Sequence, residues 1–546
     1  MISKQTLDKI RPIVGPPGTG KTHIKIKKLY AELSDKYGTE RGIVLSHTKV
    51  AAAELQATIK SIDKIKTSNL LQLDEDYFQY RICTIHSYAK KHGGERRGVF
   101  SSKSDFNSLC NYVPLFNLKK SAAITKDPQK NHPFFRCNAE AHGRGLNISD
   151  HWHTAADPHN SYKPYNLQLI LKMKEGYEKF KTDEFLQDYQ DMIDVYVRKP
   201  KVPAVDFLII DEAQDCSKPQ LLAIEKMAEH VRSKDVIMVG DPNQTIFKFA
   251  GSDPDFFEKL FKDAKGEDEL EVGLRCSKAI NKFCKEIIKP VWEKYGYTRV
   301  WEPTDVEGNV YRIPDLNKSF GLSKLLEKIK NSDEQFLFTY RSLKSKEWLV
   351  PFFERYGLKY KHVGSEHLHV SDAELNSHYT WPLFIKGTPQ SLEQIQAYWK
   401  LLDKRHKKKD ARIFKKMINK SYTFQEFVNL EFLDSTLSDT LDFYKLIKTP
   451  KDVEGKNRLQ QRVKYIRSII NNNNLNQSAT IEYGNFHKIK GLTRDNVIVD
   501  LSITRAEPYH EQLYLGYTAC SRGRYDLWIL KSQTGKELLD KHEHIQ

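Results

Sequence analysis

The stretch "RPIVGPPGTGKTHIKIKKL", Arg11 to Leu29, constrains this chain more than any other. Gly15, Gly20, Lys21 and Thr22 satisfy the pattern G-x-x-x-x-G-K-[ST]. In that pattern glycines let successive backbone N–H groups curl around phosphate oxygens without Cβ clashes. A short apolar run, Ile13-Val14, enters the loop, and a helical pattern, Thr22 to Glu32, leaves it. Strand, loop and helix in that order place phosphates at a helix N-terminus, where free N–H groups and the macrodipole favour anions. The motif predicts a triphosphate cradled by Gly15, Pro16, Pro17, Gly18, Thr19 and Gly20, with Lys21 on the terminal phosphates and the Thr22 hydroxyl on Mg²⁺. Kinases, GTPases, transporters and motors share such a loop, so it does not say what hydrolysis drives.

Runs of the same character recur, each followed by a polar residue and a helical pattern: "GIVLS" (42–46), "RICTI" (81–85), "DFLII" (206–210) and "DVIMV" (235–239). A second set follows: "FLFTY" (336–340), "NVIVDL" (496–501) and "LWIL" (527–530). This alternation predicts two parallel-sheet α/β cores with ligand-binding residues at the strand carboxyl ends. Two segments break it. Residues 97–190 are polar and end in the helical "EFLQDYQDMIDVYVRK"; residues 366–476 are mainly of helical periodicity and carry the basic run "KLLDKRHKKKDARIFKK" (400–416). Both read as insertions. The expected organisation is a first core in two parts (1–96 and 191–265) around the insertion 97–190, and a second (266–365 and 477–546) around the insertion 366–476.

A chain of 546 residues is long enough for several cores, and its formal charge of +16 favours a polyanionic partner. Nucleic acid leads, because lysine and arginine release counterions from phosphates; an ordinary basic surface is the alternative. Seven cysteines without a C-x-x-C pair suit a reducing compartment. Neither a signal-peptide core nor a run of about 18 apolar residues is present, so a soluble intracellular protein without a membrane contact is expected. Cys137, His142, His151, His153 and His159 gather in one segment, but their spacing fits no zinc pattern, and a polar surface loop is the simpler reading.

"VDFLIIDEAQD" puts Asp211 and Glu212 at the end of a buried strand, where the first acid can hold Mg²⁺ and the second polarise water. Two acids in a surface turn would look alike. Together with "LSHTKVAAAEL" (45–55), "CTIHSYA" (83–89), "VGDPNQTIFKFAGS" (239–252), "LEVGLRCSKAI" (270–280), "FLFTYRS" (336–342), "FHKIKGLTRDNVIV" (486–499) and "LYLGYTACSRGRYDL" (513–527), the chain resembles the UvrD/Rep family of superfamily 1 DNA helicases. The matching stretches span nearly the whole chain in the family's order.

The resemblance implies two RecA-like motor domains, each with a helical insertion, that hydrolyse ATP with Mg²⁺ and track single-stranded DNA. It assigns Lys21 and Thr22 to phosphates and metal, Asp211 to the metal, Glu212 to the base and Gln244 to the γ-phosphate. Arg275 and Arg522 are then arginines arriving from the second core, and His23 and Gly491 neighbours of the nucleotide. Phe247 and Phe249 become base-stacking aromatics, although a Phe-x-Phe pair in a lone sequence is usually core. His47, Thr48, Thr84, His86 and His487 fall where the family lines the strand path; each could equally be a satisfied polar residue at a strand end. The lysine-dense 404–416 run is a solvated helix face or a duplex contact.

Departures from the family gather at the nucleoside. Only fourteen residues precede Gly15, which leaves Gln5 a doubtful adenine reader; Leu274 stands for a tyrosine, His23 for an arginine and Thr493 for a glutamate. The second insertion is shorter than in the family, and the chain ends soon after "YDLWIL". The expected activity is 3′→5′ translocation on single-stranded DNA with unwinding at single/double-strand junctions. Stripping proteins from DNA without unwinding is the nearest alternative, and a scaffold with weak ATPase a more remote one.

Overall fold

The structure, a computed structural model, describes residues 3–62, 80–93, 97–117, 132–155, 162, 164–262, 268–313, 320–341, 345–365, 368–402, 414, 417, 419–430, 443, 453–475, 477–502 and 509–530. They fall into two units: Met1–Glu307 with Glu507–Ser521, and Gly308–Ala506 with Arg522–His544.

The first unit is built on a five-stranded, wholly parallel sheet of β1 (Ile10–Val14), β2 (Gly42–Ser46), β3 (Ile82–Thr84), β4 (Val205–Asp211) and β5 (Val231–Gly240), in the order β1-β5-β4-β2-β3. Successive side chains go to opposite faces. Ile43, Leu45, Leu208, Ile210, Val236 and Met238 pack with Tyr88, Ile224 and Phe257, whereas Val44, Phe207, Ile209, Ile237 and Val239 pack with Ile26, Leu29, Tyr30 and Leu55. Both faces are covered, which is why these strands read as unbroken apolar runs. Each fully buried branched side chain contributes about 1.5–3 kcal/mol.

Pairing of Val14 with Gly240, Ser46 with Asp211 and Ser46 with Thr84 brings the strand ends to one edge of the sheet. The loops leaving that edge hold nearly all the first unit's candidate residues, as open α/β sheets require of their ligand sites. The helix after the phosphate loop starts as a wide-turn segment, Lys21–Ile26, before Lys27–Tyr37 continues as α-helix.

Two short strands, Gly98–Val99 and Leu186–Gln187, pair in parallel, and the described residues between them are mainly helical. Their core is aromatic: Phe100, Phe116, Phe134, Trp152, Tyr162, Tyr165, Tyr177 and Phe180. Lys181 is buried against it and held by Asp188 at 3.1 Å and Asp191 at 2.7 Å. Cys137 lies in this core, and burial raises its thiol to about 12. His151 meets the Tyr162 hydroxyl, which donates to Glu140, and His142 pairs with Asp194. No group of three potential metal ligands occurs among the described residues; His159 lies outside them.

Residues 268–307, read from sequence as part of the second core, pack in the first unit. The N–H of Leu270 donates to Val14 O and that of Leu274 to Gly18 O, so this segment lies along β1 and the phosphate loop. The helix Tyr509–Cys520 also belongs to the first unit, although its neighbours in sequence are strands of the second.

The second unit has a six-stranded parallel sheet: β6 (Asn309–Ile313), β7 (Gln335–Tyr340), β8 (Tyr360–His362), β9 (Thr480–Asn485), β10 (Arg494–Asp500) and β11 (Gly523–Leu530), ordered β8-β9-β7-β10-β11-β6. In the same unit the helices Asp372–Ile385, Leu392–Leu401 and Phe424–Asn429 pack around Trp381, Phe384, Tyr398 and Phe427. The 404–416 run lies outside the described residues except for Phe414, whose ring joins that core. Among the described residues no helix is long and apolar enough to cross a membrane.

Candidate active site

The phosphate loop leaves β1 with Gly15 N–H donating to Gly240 O at 3.2 Å. Gly18 and Gly20 hold φ of +77° and +78°, the left-handed region that suits glycine. A Cβ on Gly18 would also sit 2.4 Å from Arg275 Cβ, so Arg275 lies directly against the loop. That places Arg275 in the first unit rather than with the second core, and its guanidinium donates to Ser521 O at 3.4 Å. Lys21 is buried, with Nζ on the carbonyls of Gly15 (2.6 Å) and Pro16 (3.1 Å). Burial pulls its pKa below the usual lysine range, against the raising effect of Asp241 and Glu212.

The Thr22 hydroxyl donates to Asp211 Oδ2 at 2.9 Å, so the two residues expected to hold the metal touch. Burial first, and the charge of Glu212 second, push Asp211 up to about 7. Two crowded acidic groups beside a hydroxyl are hard oxygen donors, and a divalent cation would relieve their repulsion; the residues fit Mg²⁺.

Glu212 has φ 52° and ψ 41°, left-handed for a residue with a full side chain, which costs of order 1–3 kcal/mol. The backbone twist turns its carboxylate toward Gln214, whose amide donates to Glu212 Oε2 at 2.5 Å. The carbonyl of Gln214 accepts the Asp241 N–H at 3.2 Å, and Gln244 donates to Asp241 Oδ2 at 2.8 Å. A chain of hydrogen bonds thus runs Glu212–Gln214–Asp241–Gln244, buried from Gln214 onward. Gly240 makes room for it, since a Cβ there would lie 2.2 Å from Gln214 Oε1. Asp241 stood within a recognised motif, but sequence gave no sign that it joins the two glutamines.

His23 turns to the helix Lys49–Lys60: Nδ1 meets Thr58 Oγ1 at 3.1 Å and Nε2 meets Glu54 at 2.7 Å. Leu274 is 57% exposed. The side chain of Gln5 lies outside the described residues.

On the same sheet edge, aromatic rings line up. His47 and Phe247 have centroids 5.5 Å apart, and Phe247 and Phe249 6.0 Å. Phe249 is 49% exposed and Phe247 half-buried, so this Phe-x-Phe pair is not core. Thr48 and Thr84 cap helices, accepting the N–H of Ala51 and Ser87. His86 packs edge-on against Tyr189 at 5.8 Å; burial first and His142 second lower its pKa to about 4, leaving a neutral ring able only to hydrogen-bond. Tyr189, 48% exposed, is an aromatic that sequence reasoning missed, because its neighbour His86 is distant in the chain.

In the second unit, His487 sits in the turn after β9. Gly491 has φ +87° with open space at its Cβ position. Arg522 is buried ahead of β11, its carbonyl accepting the Arg494 N–H at 3.1 Å.

Residues 3–265 match the family model of the UvrD/REP helicase N-terminal domain. A probable DNA helicase II homolog of Mycoplasma pneumoniae is 22% identical over 466 residues, covering 78% of this chain and 60% of the relative. The ATP-dependent DNA helicase srs2 of Schizosaccharomyces pombe is 23% identical over 304 residues, 53% of this chain and 34% of the relative. A putative ATP-dependent DNA helicase, YjcD, of Bacillus subtilis is 25% identical over 32% of this chain and a quarter (25%) of its own length. The chain thus spans less than two thirds of each of these relatives.

Proposed function

We propose that the chain, whose residues 3–265 match the UvrD/REP helicase N-terminal domain, is an ATP-dependent DNA helicase moving 3′→5′ along single-stranded DNA. One observation carries the reading: Gln244, at the end of the carboxylate–amide chain, is separated from the half-buried Phe247 by only Thr245 and Ile246. A group that contacts a terminal phosphate thereby adjoins rings that stack on bases, which is the link a motor needs between hydrolysis and movement.

In this mechanism the loop Gly15–Gly20 holds the phosphates of ATP and Lys21 neutralises the terminal ones. Thr22 and Asp211 would hold Mg²⁺, which supplies further neutralisation of phosphate charge. Glu212, aimed by its left-handed backbone and by Gln214, takes the proton of the attacking water. Gln244 reports the γ-phosphate. Arg275 and Arg522 spread the charge that develops on the transferred phosphoryl group. His47, Phe247 and Phe249 hold bases by stacking, with Thr48, Thr84, His86 and His487 near sugar and phosphate. The 3′→5′ direction rests on the resemblance of "QTIFKF" to its family counterpart, and displacement from 3′-tailed but not 5′-tailed duplexes tests it. Adding a protein-blocked single strand separates unwinding from protein removal. A cytoplasmic or nucleoid location goes with such a substrate.

Phe247→Ala is expected to weaken single-strand binding by about 1–3 kcal/mol, while Phe247→Tyr is tolerated. Fluorescence anisotropy with a labelled oligonucleotide reads both; equal losses in the two variants would remove stacking from the account.

The nucleobase should be read weakly. His23 has both ring nitrogens engaged by Thr58 and Glu54, and Leu274 offers apolar contact alone. Apolar contact discriminates poorly, because a wrong base then leaves no buried polar group unpaired. The expected kcat/KM for GTP lies within about 10-fold of that for ATP, and Leu274→Tyr should move it toward ATP. A preference for ATP above roughly 100-fold would mean that adenine is read by other groups.

A further inference from the structure

The helix Tyr509–Cys520 touches both ends of the segment that carries Gln244 and Phe247. Near its C-terminal end the Tyr517 hydroxyl faces Asp241 Oδ2 at 3.5 Å, the same oxygen that accepts Gln244. Two turns earlier, Glu511 forms an ion pair with Lys248 at 2.8 Å, and Lys248 stands between Phe247 and Phe249. Between these contacts Tyr514 donates to the buried Glu258 at 3.3 Å, and Tyr297 donates to the other oxygen of that carboxylate. The helix is therefore clamped at its middle, with one end on the carboxylate that holds Gln244 and the other on the loop that carries Phe247 and Phe249.

We infer that the Glu511–Lys248 ion pair is a coupling contact, through which the helix Tyr509–Cys520 passes the state of Asp241 and Gln244 to the single-strand-stacking rings. The inference rests on the proposed motor function. Its logic is competition for one oxygen. When Gln244 turns to a phosphate it leaves Asp241 Oδ2 to Tyr517, and the helix shifts against its Glu258 clamp. Glu511 then moves Lys248, and with it the backbone that sets Phe247 and Phe249. Glu511 is a positioning residue in this scheme, since it touches neither nucleotide nor DNA. The pair is not a fold determinant: Lys248 and Glu511 are 50% and 29% exposed in their side chains, and pairs so exposed contribute little to stability.

The test uses the full chain at saturating single-stranded DNA, with thermal melting, basal ATPase, stimulated ATPase and strand displacement per ATP measured together. Glu511→Gln is expected to melt as wild type and keep basal ATPase within about twofold, while strand displacement per ATP falls at least fivefold. The exchanged pair, Glu511→Lys with Lys248→Glu, should recover at least half of that loss, which a merely structural role would not produce. Unchanged displacement in Glu511→Gln, or an exchanged pair no better than its worse single variant, overturns the coupling contact. A wild-type protein whose ATPase ignores DNA would overturn it together with the motor reading; a stimulated wild type with an unaffected Glu511→Gln overturns the coupling contact alone.

Discussion

Arg522→Ala is expected to lower ATP turnover by about 10³-fold or more while leaving single-strand affinity nearly unchanged. The size follows from what the guanidinium does in the proposed mechanism. It meets charge that grows on the phosphoryl oxygens only as the bond to the leaving group stretches, so its removal costs little in the ground state. A planar fork with fixed donors serves this better than an ammonium, and Arg522→Lys should recover only part of the loss. Arg522 is buried and its backbone is tied to Arg494, so the melting temperature of each variant belongs in the same experiment. If binding and turnover fall together with stability, the arginine is structural.

Glu212→Gln should bind ATP normally and turn over about 10²–10⁴-fold more slowly. The substitution keeps size and an acceptor oxygen, so the hydrogen bond from Gln214 survives in Glu212→Gln. What disappears is the capacity to take a proton. The left-handed backbone at this position makes the same point from the fold: a strained residue persists where its direction matters. Near-normal turnover in single-turnover kinetics would take Glu212 out of the base role.

What could be read from the sequence was local. The phosphate loop, the acids closing β4 and the apolar strands β2, β4 and β5 all announce themselves, because a parallel strand covered on both faces needs an unbroken apolar run. Strand β9, "TIEYGN", did not, since Glu482 interrupts it; the structure satisfies that acid with Arg494 and Lys361. The helix Tyr509–Cys520 was hidden for a different reason. Its sequence neighbours β10 and β11 belong to the second unit's sheet, while Tyr514 and Tyr517 reach Glu258 and Asp241 in the first. Hydroxyl-to-carboxylate contacts across more than two hundred residues leave no periodic trace in a single sequence. Nor did sequence tell whether Phe247 lies in the core; the structure leaves it half-buried beside His47 and the exposed Phe249. The threonines went the other way: Thr48 and Thr84 occupy motif positions, and both also cap helices.

The central claim is that one sheet edge of the first unit joins a hydrolytic centre to a single-strand platform. The most direct measurement is ATP hydrolysis by wild type, Lys21→Ala and Phe247→Ala, each with and without a single-stranded oligonucleotide. The account predicts strong stimulation of wild type by DNA, no hydrolysis above background in Lys21→Ala, and basal hydrolysis without full stimulation in Phe247→Ala. Hydrolysis that persists in Lys21→Ala, or wild-type hydrolysis indifferent to DNA, would contradict it.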